Sequence, residues 1–136
     1  MVQRKEYKTV PKQKFKDYSA VANHFFEAAE LAMELGYWTA AGVLIVHSAI
    51  AFSDALCIKL SGVRSIGENH EYALVLLERV SAEIEGKSSA LNQLKRIIEE
   101  KTKVSYLGEL YSASQIKDMW KRLERFRKWA LYVIER

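Results

Sequence analysis

The chain has 136 residues, one domain's worth of polypeptide, of which 49% are apolar and 28% charged. Six Gly and one Pro leave little turn material, which excludes collagen-like and low-complexity chains and argues against an all-β sandwich; the single cysteine, Cys57, excludes an intramolecular disulfide framework and a cysteine-based metal cage. The formal net charge of +4 sits at the two ends: residues 1–16 carry six basic side chains and one acidic, residues 117–136 seven and three, and the stretch between is net acidic.

Residues 1–16 read as a basic, solvated and partly disordered N-terminal arm, without the apolar stretch of a secretory signal. Residues 17–136 read as one helical domain. A first helix is expected from Asp17, as N-cap, to Leu35, with Tyr18, Val21/Ala22, Phe25, Ala29 and Ala32 recurring at helical spacing before Gly36. A second runs from Tyr37 or Trp38 to Leu60 and is ended by Gly62; the one-residue joint makes the two an antiparallel hairpin. The nineteen residues from Leu35 to Ser53 carry no Asp, Glu, Lys or Arg, long enough to span a bilayer. Asp54 and Lys59 continue the same helix, however, and a helix apolar nearly all round suits the centre of a bundle; no membrane partner is expected.

Residues 61–67 read as a loop. A third helix is expected from about Glu68, with Ala73, Leu74, Leu77, Val80 and Ile84 inward, interrupted at Gly86. A further helical piece from Ser89 to about Lys101 carries Leu91, Leu94 and Ile98, followed by a Tyr-bearing loop over residues 102–111. Ser112 with Gln115 makes a capping box for a last helix whose Ile116, Met119, Leu123, Phe126, Ala130 and Val133 keep strict 3-4-3-4 spacing. No period-two alternation supports a sheet. The expected fold is all-α, an up-and-down bundle of four or five helices.

Four groups of residues bear on chemistry. Arg64, Asn69, His70 and Tyr72 lie close together at a loop–helix junction. Histidine titrates near cellular pH and can act as general acid or base, while a permanently charged arginine can hold a scissile phosphate. These are suitable parts for metal-independent RNA cleavage by the 2′-hydroxyl. Their bland reading is an Asn cap, a packed His and a solvated Arg. His47 and Asp54, seven apart, share one face of the second helix, and the buried Asp needs a partner that Arg64 or His70 can supply. Lys117, Lys121, Arg125 and Lys128 form a basic stripe on the last helix, with Trp129 nearby, of the kind that tracks a phosphate backbone or simply faces water. Gly86-Lys87-Ser88 lacks the preceding glycine and strand of a phosphate loop, and three His on separate segments show no metal-ligand spacing; no metal and no cofactor are implied. Cys57 reads as a small buried hydrophobe.

The run from Trp38 through the small-residue-rich helix to Lys59-Leu60-Ser61-Gly62, then a short loop and Asn69-His70, resembles the HEPN superfamily, as does Phe126-Arg127-Lys128-Trp129-Ala130 in the last helix. The resemblance implies a compact bundle, commonly a homodimer, whose members accompany small nucleotidyltransferases or act in RNA-directed systems such as toxin–antitoxin pairs. Ribonuclease members carry Arg, four to six residues, then His, and in one group a Tyr two residues later; Arg64, His70 and Tyr72 fit that spacing. In those members the motif precedes the last helix, whereas here it lies at mid-chain, and residues 90–136 hold no His. The favoured expectation is therefore a cytoplasmic, non-catalytic module that binds a partner protein, a nucleotide or RNA, as a homodimer through the final or the second helix. The alternative is a metal-independent ribonuclease with Arg64 and His70 as catalytic residues from two protomers.

Overall fold

The computed structural model describes residues 6–66, 70–107 and 110–136, with residues 102–107 as backbone alone. The described residues are overwhelmingly helical, and the all-α bundle is what forms. In chain order the elements are strand β1 (Tyr7–Thr9), a 3-10 turn (Lys12–Lys14), helix α1 (Phe15–Glu34), helix α2 (Trp38–Ser61), strand β2 (Val63–Ser65), and helices α3 (Glu71–Val80), α4 (Lys87–Leu107) and α5 (Ala113–Ile134).

The α1–α2 hairpin is closed by a glycine turn. Tyr37 N–H donates to the Ala32 carbonyl at 2.9 Å and Gly36 N–H to the Met33 carbonyl at 3.0 Å, with Gly36 at φ +79°. This paired 6→1 and 5→2 pattern satisfies the last carbonyls of α1, and its left-handed residue favours glycine. The buried face of α1 is alanine: Ala22, Ala29 and Ala32 let α2 approach closely, and Ser48 on α2 donates its hydroxyl to the Ala22 carbonyl at 2.8 Å.

Helix α2 packs against all four other helices, which explains why it is apolar nearly all round. It is long and apolar enough to cross a membrane by length and composition, yet most of that stretch is buried inside the bundle. Ile45, Phe52, Leu56 and Ile58 from α2, Leu77 from α3, Leu94 and Ile97 from α4, and Ile116, Met119, Leu123, Phe126 and Val133 from α5 make the fully buried core. Each such side chain contributes about 1.5–3 kcal/mol of transfer free energy. At Gly42 the bundle closes so tightly that a Cβ would overlap the Tyr111 ring and lie 2.9 Å from Ile116 Cδ1.

Both ends of α5 are tied. Ser112 Oγ accepts from Gln115 N–H at 3.2 Å while Gln115 Oε1 accepts from Ser112 N–H at 2.8 Å, the capping box expected from the sequence. At the other end Lys59 Nζ, on α2, donates to the carbonyls of Val133 at 2.9 Å, Ile134 at 2.7 Å and Arg136 at 3.3 Å. A Ser112→Ala chain is expected to lose about 1 kcal/mol of stability in urea unfolding, because the Gln115 N–H in the first turn loses its acceptor.

The structure differs from the sequence reading in four places. Residues 7–9, expected in the solvated arm, pair antiparallel with residues 63–65, Tyr7 opposite Ser65, Lys8 opposite Arg64 and Thr9 opposite Val63. Three residues per strand are too short to show alternation. The ribbon gives backbone partners to the segment leaving α2, extended by Val10 N–H to the Gly62 carbonyl at 2.8 Å and Ile66 N–H to the Glu6 carbonyl at 2.8 Å. Helix α1 starts at Phe15, so Asp17 lies in its first turn rather than at its cap. Helix α3 stops at Val80, because Ser81 Oγ bonds back to the Leu77 carbonyl at 2.6 Å and Ala82 takes φ +46°. Helix α4 starts at Lys87 and runs on to Leu107 through the stretch expected as a loop, since no Gly or Pro interrupts residues 101–107.

Candidate functional site

Two polar clusters flank the exit of α2. The first forms because Gly62, left-handed at φ +72°, turns the chain back on α2 and places Arg64 of β2 beside Asp54. Arg64 Nε lies 3.9 Å from Asp54 Oδ2, and Nη1 lies 3.3 Å from the Tyr18 hydroxyl of α1, with the guanidinium 5.6 Å from the Tyr18 ring centre. Arg64 Nε itself is buried without a hydrogen bond among the described residues. Burial pushes the Asp54 carboxyl up to about 7, against the opposing pull of Arg64. Cys57, one turn on, is buried, and burial and then the neighbouring Asp54 push its thiol far above the ordinary value. A thiol so held is protonated and not a nucleophile. The structure thus joins Asp54 to Arg64 and adds Tyr18, for which the sequence carries no signal beyond its place at the start of a helix.

The second cluster centres on His70, which occupies the N-cap position of α3 without a side-chain capping hydrogen bond among the described residues. It is half-buried, and burial, then Lys101, then His47 lower its pKa, so it is neutral at cellular pH. His47 is exposed on α2, where its ring lies 5.5 Å from that of Phe25 on α1; it is not part of the buried network that contains Asp54. The seven-residue spacing does put the two on one side of α2. Asp54 is buried, whereas His47, two turns earlier on the same helix, is exposed. Tyr72 is partly exposed, edge-on to Tyr7 of β1 at 6.5 Å. Asn69 lies outside the described residues. Among the described residues no hydrogen bond, ion pair or ring contact joins Arg64 to His70.

On α5, Lys117, Lys121, Arg125 and Lys128 are all exposed and fall within roughly 80° of helix arc. None is in an ion pair among the described residues, whereas neighbouring Arg122 is held by Asp118 at 3.1 Å. Lys117 Nζ stands 6.0 Å from the Trp38 ring centre. Exposed Tyr132 falls in the middle of the same arc, an aromatic the sequence reading passed over although its spacing from Arg125 and Lys128 gives it away. Glu124 and Glu135 run along one edge of the stripe and restrict its field to a short stretch of anion. Trp129, in contrast, is buried, its indole N–H donating to the Glu85 carbonyl at 2.8 Å. Among the described residues no group of three or more His, Cys, Asp or Glu is placed to hold a metal ion.

No protein-family model, no curated protein and no solved structure matches this chain.

Proposed function

We propose that this chain is a non-catalytic, HEPN-like helical module that binds single-stranded RNA along the exposed face of α5, as a homodimer in a toxin–antitoxin or nucleotidyltransferase-associated system. The observation that carries the reading is the basic stripe of Lys117, Lys121, Arg125 and Lys128, without an ion pair among the described residues and with Tyr132 among them. Unpaired cations at this spacing favour a line of phosphates, and an aromatic between them offers a base-stacking face. The separate engagement of Arg64 by Asp54 and Tyr18, and of His70 by burial, supports structural roles for both. The exposed Leu31, Leu35, Tyr37 and Val43 of the α1–α2 hairpin support a protein contact by the hairpin.

Fluorescence anisotropy with a labelled single-stranded RNA tests this. Four phosphate contacts give a slope of log affinity against log salt of about −3, and each Lys→Gln change in the stripe reduces it by roughly 0.7. A slope near zero, or one unchanged in Lys117→Gln and Lys121→Gln, sinks the reading.

One observation favours the ribonuclease alternative: a neutral, half-buried His70 is in the protonation state a general base needs. Incubation with RNA in EDTA, beside folded Arg64→Ala and His70→Ala variants, separates the two. Cleavage by the native chain that both variants lose establishes the nuclease. The expected result is no cleavage by any of the three.

A further inference from the structure

A cleft of about 390 Å³ opens between the start of α4 and the last turns of α5. That is a volume suited to a small molecule, and its lining is mostly apolar with a few polar groups, as ligand sites are. Gly86, Ala90 and Gln93 line it from the α4 side; Arg125, Lys128, Trp129 and Tyr132 line it from α5. Trp129 is clamped by its bond to the Glu85 carbonyl and by Gly86, where a Cβ would stand 3.0 Å from the indole Cδ1. The indole therefore gives a rigid apolar floor. Tyr132 is 48% exposed and makes no ring contact or hydrogen bond among the described residues. Gln93 is buried to 8% exposure, and its Oε1 accepts from Arg122 Nη1 at 3.4 Å. Its amide nitrogen makes no hydrogen bond among the described residues and retains some exposure to solvent.

Aromatic face, paired cations and an unused amide donor together describe a ligand: a flat heteroaromatic ring with an acceptor on its edge and an anion at one side. We propose that the α4–α5 cleft holds one nucleotide, with its base stacked on Tyr132, the edge of the base accepting from the Gln93 amide, and its 5′-phosphate held by Arg125 and Lys128. The proposal rests on the RNA-binding reading, of which it names the pocket: Arg125 and Lys128 belong both to the stripe and to the cleft. A strand following the stripe from Lys117 ends here with a base turned into the cleft.

The test is an NMR titration of the full chain with 5′-AMP, adenosine and inorganic phosphate as separate probes, alongside Tyr132→Ala, Arg125→Gln and, as a charge control on the outer face of α4, Lys95→Gln. Circular dichroism first establishes that each variant is folded; Tyr132, Arg125 and Lys95 are all exposed. 5′-AMP is expected to shift the Trp129 indole N–H and the amides of residues 86–93 and 125–132. It should bind at least about tenfold tighter than adenosine or phosphate alone. Tyr132→Ala and Arg125→Gln each weaken it by roughly tenfold, and Lys95→Gln leaves it unchanged. Equal shifts with phosphate and 5′-AMP, shifts elsewhere in the bundle, or a Tyr132→Ala chain that binds as tightly as the native one would each overturn the pocket. RNA binding that survives Tyr132→Ala removes the pocket and leaves the stripe standing. 5′-AMP binding without RNA binding leaves the pocket standing and removes the stripe.

Discussion

Replacing Gly42 by valine abolishes folding, and replacing it by alanine lowers stability by about 2 kcal/mol. In most helix interiors Gly→Ala is a gain of about 1 kcal/mol. Here the new Cβ overlaps the Tyr111 ring and presses on Ile116 Cδ1 at 2.9 Å. Neither neighbour has room to move. Ile116 is fully buried, and Tyr111 is pinned at both ends, its hydroxyl donating to the Glu100 carbonyl at 3.2 Å and its N–H to Thr39 Oγ1 at 3.3 Å. Overpacking costs about 1–3 kcal/mol per small insertion and outweighs the helix gain. Valine adds two more methyl groups without that gain, enough to exhaust the 5–15 kcal/mol typical of a domain. Urea unfolding measures the alanine variant. A double-mutant cycle with Tyr111→Ala locates the cause: the alanine at 42 is expected to cost less once the ring is gone. An alanine variant as stable as the native chain would show that the Tyr111 packing is not as described.

The second large effect is in pH. The Asp54 carboxyl titrates at about 7 in the folded chain, against an ordinary carboxylate value in the unfolded one. Between those two values the folded state binds the extra proton, so stability falls as pH rises from about 4 to about 7 and stays low above it. The integrated loss is on the order of 4 kcal/mol. Asp54→Asn keeps the shape and removes the titration. It should be the more stable chain above pH 7 and close to the native one near pH 4. His70 acts in the opposite direction, because burial lowers its pKa: its contribution is present above about 6.5 and is lost as pH falls below that. The difference between native and Asp54→Asn unfolding curves cancels the His70 contribution and isolates the carboxylate. Arg64→Met adds a second arm. With the one cation beside it among the described residues removed, ionised Asp54 is left buried without that partner, and the native drop deepens. Parallel native and Asp54→Asn curves from pH 4 to pH 8 would mean that Asp54 ionises as freely folded as unfolded.

The helices were legible because the physics that makes them is local. The 3-4-3-4 seam of α5 and its Ser112–Gln115 box are readable residue by residue, and Gly36 and Gly62 sit where left-handed φ is required. The β1–β2 ribbon was not, because its pairing joins residues more than fifty positions apart and each strand is too short for alternation to register. The end of α3 was missed for a different reason. Ser81 and Ala82 carry no strong stop signal, and the helix ends there through a side chain bonding back and a left-handed alanine. At the candidate site the sequence offered Arg64 as a partner for Asp54, on the argument that a buried carboxylate needs one. It did not separate His47 from Asp54, because a seven-residue spacing sets the angle around a helix and says nothing of what covers each end. Tyr132 went unnoticed because exposed tyrosines are common and only the neighbouring cleft gives this one a meaning.

The hold of Lys59 on the end of α5 also sets an order in time. Its partners lie 74 to 77 residues further along the chain. The α1–α2 hairpin closes through contacts between sequence neighbours, whereas the last turn of α5 keeps unsatisfied carbonyls until that helix docks on α2. Frayed ends of this kind exchange their amide hydrogens quickly. Protection of the final amides of α5 in hydrogen exchange therefore reports docking rather than helix formation.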